Sequence, residues 1–230
     1  ELARASLTQE EMLFKEFGID AEILIDHAWG IEPCRMEDIK SYRPADKSIC
    51  EGQVLSCPYP YEKARLIIQE MTESLAFRLS DLKMITDSLT LTVGYDRTNC
   101  TTGSYQGEIH IDHYGRSVPK AAHGTIHLDP PTNLGSRLID AAVRLYAQIT
   151  SPQLLVRRIS IAANRVIEDH GIYQLNLFTD MKKLEREKKL QETMLDIKKR
   201  FGKNSVLKGT SFLDGATMRE RNGQIGGHKA

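Results

Sequence analysis

The stretch Leu89-Thr90-Leu91-Thr92-Val93-Gly94-Tyr95 decides the fold, because apolar and polar residues alternate along it as far as Gly94. Successive side chains of a strand point to opposite sides of a sheet, so the alternation predicts one buried face and one open face. Residues 156–163 repeat the pattern, with Ile159 and Ile161 on one side and Arg158 and Ser160 on the other. Two such strands indicate an antiparallel sheet that is covered on one side only.

The neighbouring segments predict the rest of an α+β domain. Residues 61–79 carry apolar side chains at helical spacing, and a second helix, capped by Thr132 or Asn133, reaches Ile149. Further strands are expected at residues 48–55, 108–112 and 124–128. This order of elements differs from that of βαβ nucleotide-binding folds. We predict a four-stranded, mainly antiparallel sheet, covered on one face by two helices and followed by a C-terminal helical tail.

The N-terminal residues predict a small helical segment. Two short helices are expected at 9–17 and 21–29, each with one buried apolar stripe. The stripes consist of Met12, Leu13 and Phe17, and of Ile23, Leu24 and Ala28. Residues 33–46 contain Pro33 and Pro44 and show no periodicity, which predicts a linker.

The C-terminal residues predict a charged helix and a flexible tail. Residues 181–201 are rich in Lys and Glu, and Gly202 follows as a stop signal. The side chains expected to form its docking face are Leu190, Met194, Ile197 and Phe201. From Thr210 onward the chain is rich in Gly, Arg and Lys without periodicity, which predicts flexibility.

Composition narrows the class of protein. The net charge of the 230 residues is zero, but residues 1–150 carry −7 and residues 151–230 carry +7. This asymmetry is compatible with a basic C-terminal region that meets a polyanion, but charge alone favours the simpler interpretation of a solvated, Lys/Glu-rich helix. The apolar runs fall short of the roughly 20 residues that span a bilayer. The four cysteines form no CxxC pair, so we expect reduced thiols in a cytoplasmic protein without a membrane partner.

The segment Tyr173-Gln174-Leu175-Asn176-Leu177-Phe178 precedes the charged helix. It resembles the bacterial sliding-clamp binding peptide, in which Leu and Phe anchors fill an apolar pocket and Gln makes polar contacts. Peptide-in-groove recognition of this kind depends on a few apolar anchors. A Leu/Phe-rich core strand is the alternative interpretation. On the clamp interpretation, the contacts come from Gln174, Leu175, Leu177 and Phe178.

The whole order of segments resembles the C-terminal part of the Y-family (DinB/UmuC-type) translesion DNA polymerases, and most closely the UmuC-like branch of Gram-positive bacteria. The resemblance rests on five segments and the clamp-like peptide. The segments are 17–32, 47–49, 87–96, 156–161 and 218–229. It implies the end of a helical thumb domain at 1–32, a linker at 33–46, a little-finger domain at 47–168, and a clamp-binding peptide, charged helix and flexible tail at 169–230.

The resemblance also implies a function. The little finger would lay its open sheet face along primer–template DNA and contact backbone phosphates rather than base edges. The expected DNA contacts are Lys47, Ser48, Thr90, Thr92, Arg116, Lys120, Arg157 and Arg158. Because Arg157 and Arg158 alternate along a strand, at most one of the two is expected on the DNA face.

Family catalysis uses palm carboxylates that hold two Mg²⁺ ions, and no such pair is recognised here. We expect a catalytically inactive fragment without a cofactor, whose partners are DNA, the sliding clamp and, in cis, palm and fingers domains. The alternatives are a stand-alone nucleic-acid-binding or clamp-tethered adaptor module, and a structural interaction domain. The four residues His110, His113, His123 and His127 do not predict a metal site, because neither cysteine nor carboxylate completes one.

Overall fold

A computed structural model describes residues 1–42, 47–101, 105–112, 115–171, 180–225 and 228–229. The chain forms two compact units, Glu1–Ala45 and Asp46–Ala230. The boundary between the units falls at the end of the predicted linker. The assignment of residues 1–32 to a thumb domain stays a prediction.

The first unit is helical. Its helices are α1 (Leu2–Ala5), α2 (Glu10–Phe17), α3 (Asp20–Ala28) and α4 (Met36–Ser41). The expected buried stripes are wrong for most of their residues, since Leu13 and Ala21 are buried but Met12, Phe17 and Ile23 are about half exposed. A unit of this size has too little chain to cover two apolar stripes.

One helix of the first unit lies where the sequence predicts only a linker. Helix α4 starts after Arg35, whose backbone N–H donates to the Asp38 carboxylate at 2.9 Å. This single local bond satisfies a backbone donor at the start of the helix. A helix of six residues is too short to show periodicity in the sequence.

The second unit contains the sheet. Its elements are β1 (Ile49–Tyr59), α5 (Tyr61–Asp81), β2 (Met84–Tyr95), α6 (Thr98–Thr101), β3 (Ile109–Ile111), β4 (Ser117–Pro119), β5 (Ala122–Thr132), α7 (Gly135–Ile149), β6 (Val156–Asn164), β7 (Ile167–Glu168), α8 (Met181–Phe201), α9 (Met218–Arg221), β8 (Gln224–Ile225) and β9 (His228–Lys229), with a 3₁₀ helix over Gly209–Phe212.

The main sheet has the strand order β1-β6-β2-β5, with every neighbouring pair antiparallel and the short β7 added beside β2. Helices α5 and α7 pack on one of its faces. The predicted α+β class, with a mainly antiparallel sheet, is therefore confirmed. The segment near 108–112 departs from the expectation of a sheet strand, because β3 pairs with β4 in a separate hairpin.

The covered face of the sheet is the hydrophobic core. Strand residues Leu89, Leu91 and Val93 are fully buried, as are Ile159 and Ala163. The helices bring their own buried stripes to this layer, namely Ile67, Met71 and Leu75 on α5 and Leu138, Ala141 and Leu145 on α7. Both stripes follow the helical spacing seen in the sequence.

Helix α8 has the predicted bounds, and its docking face agrees with the prediction in part, since Met194 and Ile197 are half-buried. Leu190 and Phe201 are 59% and 75% exposed. The Gln191 side chain instead anchors the helix: its amide N–H groups donate to Ser80 Oγ at 2.6 Å and Asn133 O at 2.8 Å. Its amide oxygen accepts from the Gly135 N–H at 2.8 Å. The Gln191 side chain thus satisfies three polar groups, including the first amide of α7. These bonds fix how α8 is rotated about its own axis, so that Gln191 faces α5 and α7 and the apolar Leu190 stays largely exposed.

The start of α7 also departs from the prediction. The helix begins at Gly135, and the Thr132 hydroxyl accepts from the Leu134 N–H at 3.1 Å rather than from a helical amide. The side chain of Asn133 donates to Met84 O at 3.0 Å. The Gln191 side chain of α8 therefore replaces the expected local cap, which a sequence pattern confined to one segment does not reveal.

The residues after Thr210 are not the flexible tail that the sequence suggests, as far as the structure describes them. Glu70 Oε2, on α5, accepts from the backbone N–H groups of Thr217 at 2.8 Å and Met218 at 3.0 Å. Gln53 of β1 bonds the Thr217 hydroxyl at 3.0 Å. A buried carboxylate thus caps the short helix α9 and holds the segment on α5.

No helix in the described part of the chain combines the length and apolar character needed to cross a membrane.

Candidate nucleic-acid interface

The face of the sheet opposite α5 and α7, named here the open sheet face, is formed by the alternate residues of four strands. Its rows follow the pairing register: Gly52, Ser160, Thr92 and His123 lie in one row. The members of the face are Cys50, Gly52 and Val54 on β1, Arg158, Ser160, Ala162 and Asn164 on β6, Thr90, Thr92 and Gly94 on β2, and His123, Thr125 and His127 on β5. Most of these side chains are small, so the face projects few bulky groups.

Cross-strand hydrogen bonds order the polar side chains of this face. Thr90 Oγ1 and Thr125 Oγ1 are 2.8 Å apart, and the Asn164 amide donates to Thr90 Oγ1 at 2.8 Å. Thr92 Oγ1 lies 2.9 Å from His123 Nδ1. Side-chain pairs opposite each other in a sheet stabilise it by only fractions of a kcal/mol each. The main effect of these bonds is therefore to fix the orientation of the side chains that make them. Thr90 and Thr92, both predicted DNA contacts, thus lie together on one row-ordered surface.

Arg158 projects from the open sheet face beside a glycine. Its residue pairs with Gly94 on β2 and Val54 on β1. A Cβ at Gly94 would lie 3.2 Å from the Cβ of Arg158. Glycine therefore provides the close approach that lets the exposed Arg158 side chain leave the sheet. Within the described residues, no carboxylate lies within 4.0 Å of the Arg158 guanidinium.

The neighbouring Arg157 has a different environment. Its Nε lies 3.8 Å from Asp96 Oδ2, and the residue is half-buried. Arg158 lies on the open sheet face, whereas Arg157 lies at a register shift of β6, between Arg158 and the fully buried Val156. The two adjacent arginines form a matched pair, one free of a close carboxylate and one beside Asp96.

Two other predicted DNA contacts, Arg116 and Lys120, belong to the β3–β4 hairpin region. Arg116 Nη2 lies 2.6 Å from Asp112 Oδ2 and Lys120 Nζ lies 2.8 Å from Glu108 Oε2. The hydrogen bond that Lys120 donates to the Glu108 carboxylate raises the pKa of Lys120 above its ordinary value. Each cation is balanced by a local carboxylate, so both attract a polyanion less than an unpaired cation would.

Lys47 and Ser48 directly precede β1 and are exposed. The Lys47 carbonyl accepts from the Val166 N–H at 2.9 Å, which fixes the chain at the end of β6. These two residues lie beside the end of the sheet rather than within its rows. Seven of the eight predicted DNA contacts are therefore distributed over three places: the open sheet face, the β3–β4 hairpin region and the approach to β1. The eighth, Arg157, lies beside Asp96.

Sequence reasoning missed five polar residues of this surface. They are His123, Thr125, His127, Asn164 and Arg165. Arg165 has a left-handed backbone, with φ of 46°, and its guanidinium lies 2.9 Å from Asp87 Oδ1 and 3.1 Å from His127 Nδ1. The available signal was the polar alternation of residues 123, 125 and 127, which places all three on one strand face.

Apart from Arg158 and Arg165, the positive charge of the C-terminal third lies mainly on helix α8 and not on the open sheet face. Helix α8 packs against α5, on the opposite side of the sheet. Several of its cations have partners there, including Lys199 with Asp81 and Lys188 with Asp169. The charge asymmetry of the sequence therefore describes the helical layer, and the open sheet face depends on a few local cations.

Two further sequence predictions are limited by what the structure describes. The clamp-contact residues Gln174, Leu175, Leu177 and Phe178 lie outside the described residues. Over the described ranges, no group of three or more His, Cys, Asp or Glu side chains is arranged to hold a metal ion.

Comparison with known proteins identifies a family. The model of the impB/mucB/samB family C-terminal domain matches residues 46–177. The chain is also 25% identical over 222 residues to UvrX of Bacillus subtilis (strain 168), a protein named for a role in UV-damage repair. That alignment covers 96% of this chain and 47% of UvrX, so the chain spans about half the length of this relative.

The family match includes every strand of the main sheet and both helices that cover it. It extends over more than half of the chain. Because the family is that of the UmuC-type proteins, the resemblance inferred from the sequence is confirmed. The chain belongs to the impB/mucB/samB family and carries its C-terminal domain, the C-terminal part of a UmuC-type Y-family protein.

Proposed function

We propose that this chain grips the backbone of primer–template DNA through the open sheet face, as part of a translesion DNA polymerase that acts in DNA repair. The observation that carries the proposal is the flat, hydroxyl-bearing surface formed by Thr90, Thr92, Thr125 and Ser160. Family membership and the UV-damage name of UvrX support the repair context.

The chemistry of the surface favours phosphates over base edges. Hydroxyl and imidazole groups donate to phosphate oxygens, and such contacts position a protein without reading sequence. The one amide of the face, Asn164, already donates to Thr90. A grip that ignores base identity suits a polymerase that copies damaged templates.

Arg158 is the strongest single contact in this proposal. Its guanidinium is exposed, lies on the face and has no carboxylate within 4.0 Å in the described structure. A planar guanidinium matches two phosphate oxygens, and a charge-assisted bond is stronger than a neutral one. Since few cations contribute, the affinity should be modest and should fall with salt.

Fluorescence anisotropy of a labelled primer–template duplex at low salt tests the DNA grip. Arg158→Ala should weaken binding about five-fold and should reduce the salt slope by about one. Arg157→Ala, the matched control, removes the same charge from the neighbouring residue beside Asp96 and should have a smaller effect. Equal losses for both variants, or no DNA binding by the unmodified chain, would contradict the proposal.

We also propose that Gln174, Leu175, Leu177 and Phe178 bind a bacterial sliding clamp. The support is the form of the peptide and its place between β7 and α8. Leu177→Ala combined with Phe178→Ala should abolish measurable binding to the purified clamp in surface plasmon resonance, because two apolar anchors dominate such interfaces. If the double variant bound the clamp as tightly as the unmodified chain does, the clamp proposal would be wrong.

Polymerase chemistry is proposed for palm and fingers domains that act in cis with this chain, with Mg²⁺ in the palm. This chain would then contribute DNA contacts and no catalytic group. In primer extension with Mg²⁺, the chain alone should give no product. Extension by the purified 230-residue chain would contradict this assignment.

A further inference from the structure

The two histidines of β5 lie on the same open sheet face but have different hydrogen-bond partners. His123 Nδ1 lies 2.9 Å from the hydroxyl of Thr92, and His127 Nδ1 lies 3.1 Å from Arg165 Nη2. Both side chains are exposed at the surface proposed to meet DNA. The difference between the partners determines which of the two rings can take up a second proton and become positively charged at this surface.

Thr92 is compatible with both protonation states of His123. A threonine hydroxyl both donates and accepts, so it can receive the Nδ1–H of an imidazolium as readily as it can donate to a neutral ring. In the charged ring, Nε2–H remains as a second donor. Protonated His123 therefore keeps its position through Thr92 and adds a positive charge to the Nε2–H donor, which strengthens a bond to a phosphate oxygen.

Arg165 is compatible only with neutral His127. A guanidinium donates and never accepts, so His127 Nδ1 must be the acceptor of this bond. Protonation of His127 would break the bond and bring two positive charges together. Asp87 holds Arg165 through its Nε at 2.9 Å, which keeps the guanidinium beside the ring.

None of the charged groups that the structure describes around His123 would stabilise a positive charge on its ring, so we expect that stabilisation to come from a bound anion. Arg158 lies two strands away on β6 and in the next row, and Lys120, ahead of β5, is paired with Glu108. From below the sheet, α7 brings apolar Leu145 and Ile149 against the adjacent Gly124. Within the described structure, no carboxylate lies within 4.0 Å of His123 to stabilise its charged form.

We propose that His123 takes up a proton from solvent when DNA binds and donates its Nε2–H to a backbone phosphate, while His127 stays neutral as an acceptor for Arg165. This inference rests on the proposed DNA grip and makes it dependent on pH. Imidazole is the side chain whose ordinary titration falls between pH 5 and 8. One coupled proton changes log Kd by at most about one per pH unit.

The test is DNA affinity between pH 5.5 and 8.0 for the unmodified chain, His123→Gln and His127→Gln. Glutamine keeps a hydrogen-bonding side chain but takes up no proton. The unmodified chain should bind about five-fold more tightly at pH 5.5 than at pH 8.0. His123→Gln should lose most of this dependence, whereas His127→Gln should keep it. Circular dichroism at each pH checks that all three proteins are folded.

Nuclear magnetic resonance of the ring Hε1 protons gives a second readout that a purely structural role would not change. At a fixed pH, adding DNA should move the His123 signal toward the position of a protonated ring and should not move the His127 signal in that direction. Equal pH dependence in His123→Gln and the unmodified chain overturns the inference, even though DNA binding then stands. If no variant or pH gives any DNA binding, the proposed function itself fails.

Discussion

The two faces of the same four strands differ in what holds them together. On the covered face, Leu91 and Ile161 are at most 1% exposed and pack against α5 and α7. On the open sheet face, their neighbours Thr92 and Ser160 remain partly exposed, and Thr92 bonds a side chain of the next strand. Adjacent residues of one strand therefore have different roles: one is buried and contributes to the hydrophobic core, and the next orients polar groups on the open sheet face.

This comparison explains why one set of strands can both stabilise the domain and bind a ligand. Burial of aliphatic side chains contributes about 1.5–3 kcal/mol each, whereas a hydrogen bond near water contributes about 1 kcal/mol or less. The covered face therefore carries the stability. Residues of the open sheet face are free to vary in chemistry without unfolding the domain.

The largest expected effect is on the covered face. Leu91→Ala removes a fully buried side chain and should lower the free energy of unfolding by about 3 kcal/mol, because it leaves a cavity between the sheet and its helices. The matched change on the other face, Thr92→Ala, should cost about 1 kcal/mol or less. Urea denaturation followed by circular dichroism measures both, and similar losses would remove the distinction between the faces.

The second largest effect on stability is expected on α5, where Glu70 holds the C-terminal segment. Glu70→Ala removes the acceptor of the Thr217 and Met218 amides and should lower stability by about 1.5 kcal/mol. Hydrogen exchange of these two amides should accelerate. Glu62→Ala, on the exposed part of the same helix, serves as control, and unaltered exchange in Glu70→Ala would show that the carboxylate does not hold the segment.

A smaller effect of opposite sign is expected at Glu51, a carboxylate that β1 places on the covered side. Burial raises the pKa of Glu51 above its ordinary value, against the opposing influence of the Ser74 hydroxyl and Arg221. A raised folded-state pKa means that the stabilising contribution is present at low pH and is lost as pH rises through that pKa. The ionised carboxylate therefore destabilises the protein at neutral pH.

Glu51→Gln should consequently raise the free energy of unfolding by about 1 kcal/mol at pH 7 and leave it almost unchanged at pH 4. The glutamine oxygen can still accept from Ser74, 2.8 Å away in the unmodified protein. Denaturation curves at the two pH values provide the measurement. A loss of stability at pH 7 would mean that attraction to Arg221 outweighs the cost of burial.

The smallest effect sharpens the comparison within the open sheet face itself. Gly94→Ala would bring a methyl group to 3.2 Å from the Cβ of Arg158, so the arginine must shift by a few tenths of an ångström. We expect a stability loss of about 0.5 kcal/mol and an approximately two-fold weaker DNA affinity. Gly52→Ala on the same face meets no atom within 4 Å and should change neither quantity.

The sequence predicts the apolar, covered side of the sheet better than the contacts made by polar residues. The helices α5 and α7 and the strands β2 and β6 were predicted because a single periodicity records burial on one side. The docking face of α8 was predicted only in part, because Gln191, a polar residue, anchors the helix to Ser80 and Asn133. Hydrogen bonds between distant segments leave no periodic trace in a sequence.

The candidate DNA surface shows the same limit at the level of residues. The alternation of the sequence alone places Thr90, Thr92, Ser160 and Arg158 on one face. Three of the predicted cations, Arg116, Lys120 and Arg157, lie close to carboxylates that are 4, 12 and 61 positions away in the chain. Such pairing depends on the hairpin and on the approach of β6 to α6, which the pattern of a single strand does not encode.

The sequence by itself determined the α+β class, the two-faced sheet and the family, because strand alternation, helical spacing and short motifs are local and additive along the chain. Only the tertiary structure decided which cations face outward without a carboxylate, how Glu70 and Gln191 hold the C-terminal segments, and why His123 and His127 differ. Each of these depends on partners brought together from distant positions, where hydrogen-bond geometry and charge pairing are set by three-dimensional contact.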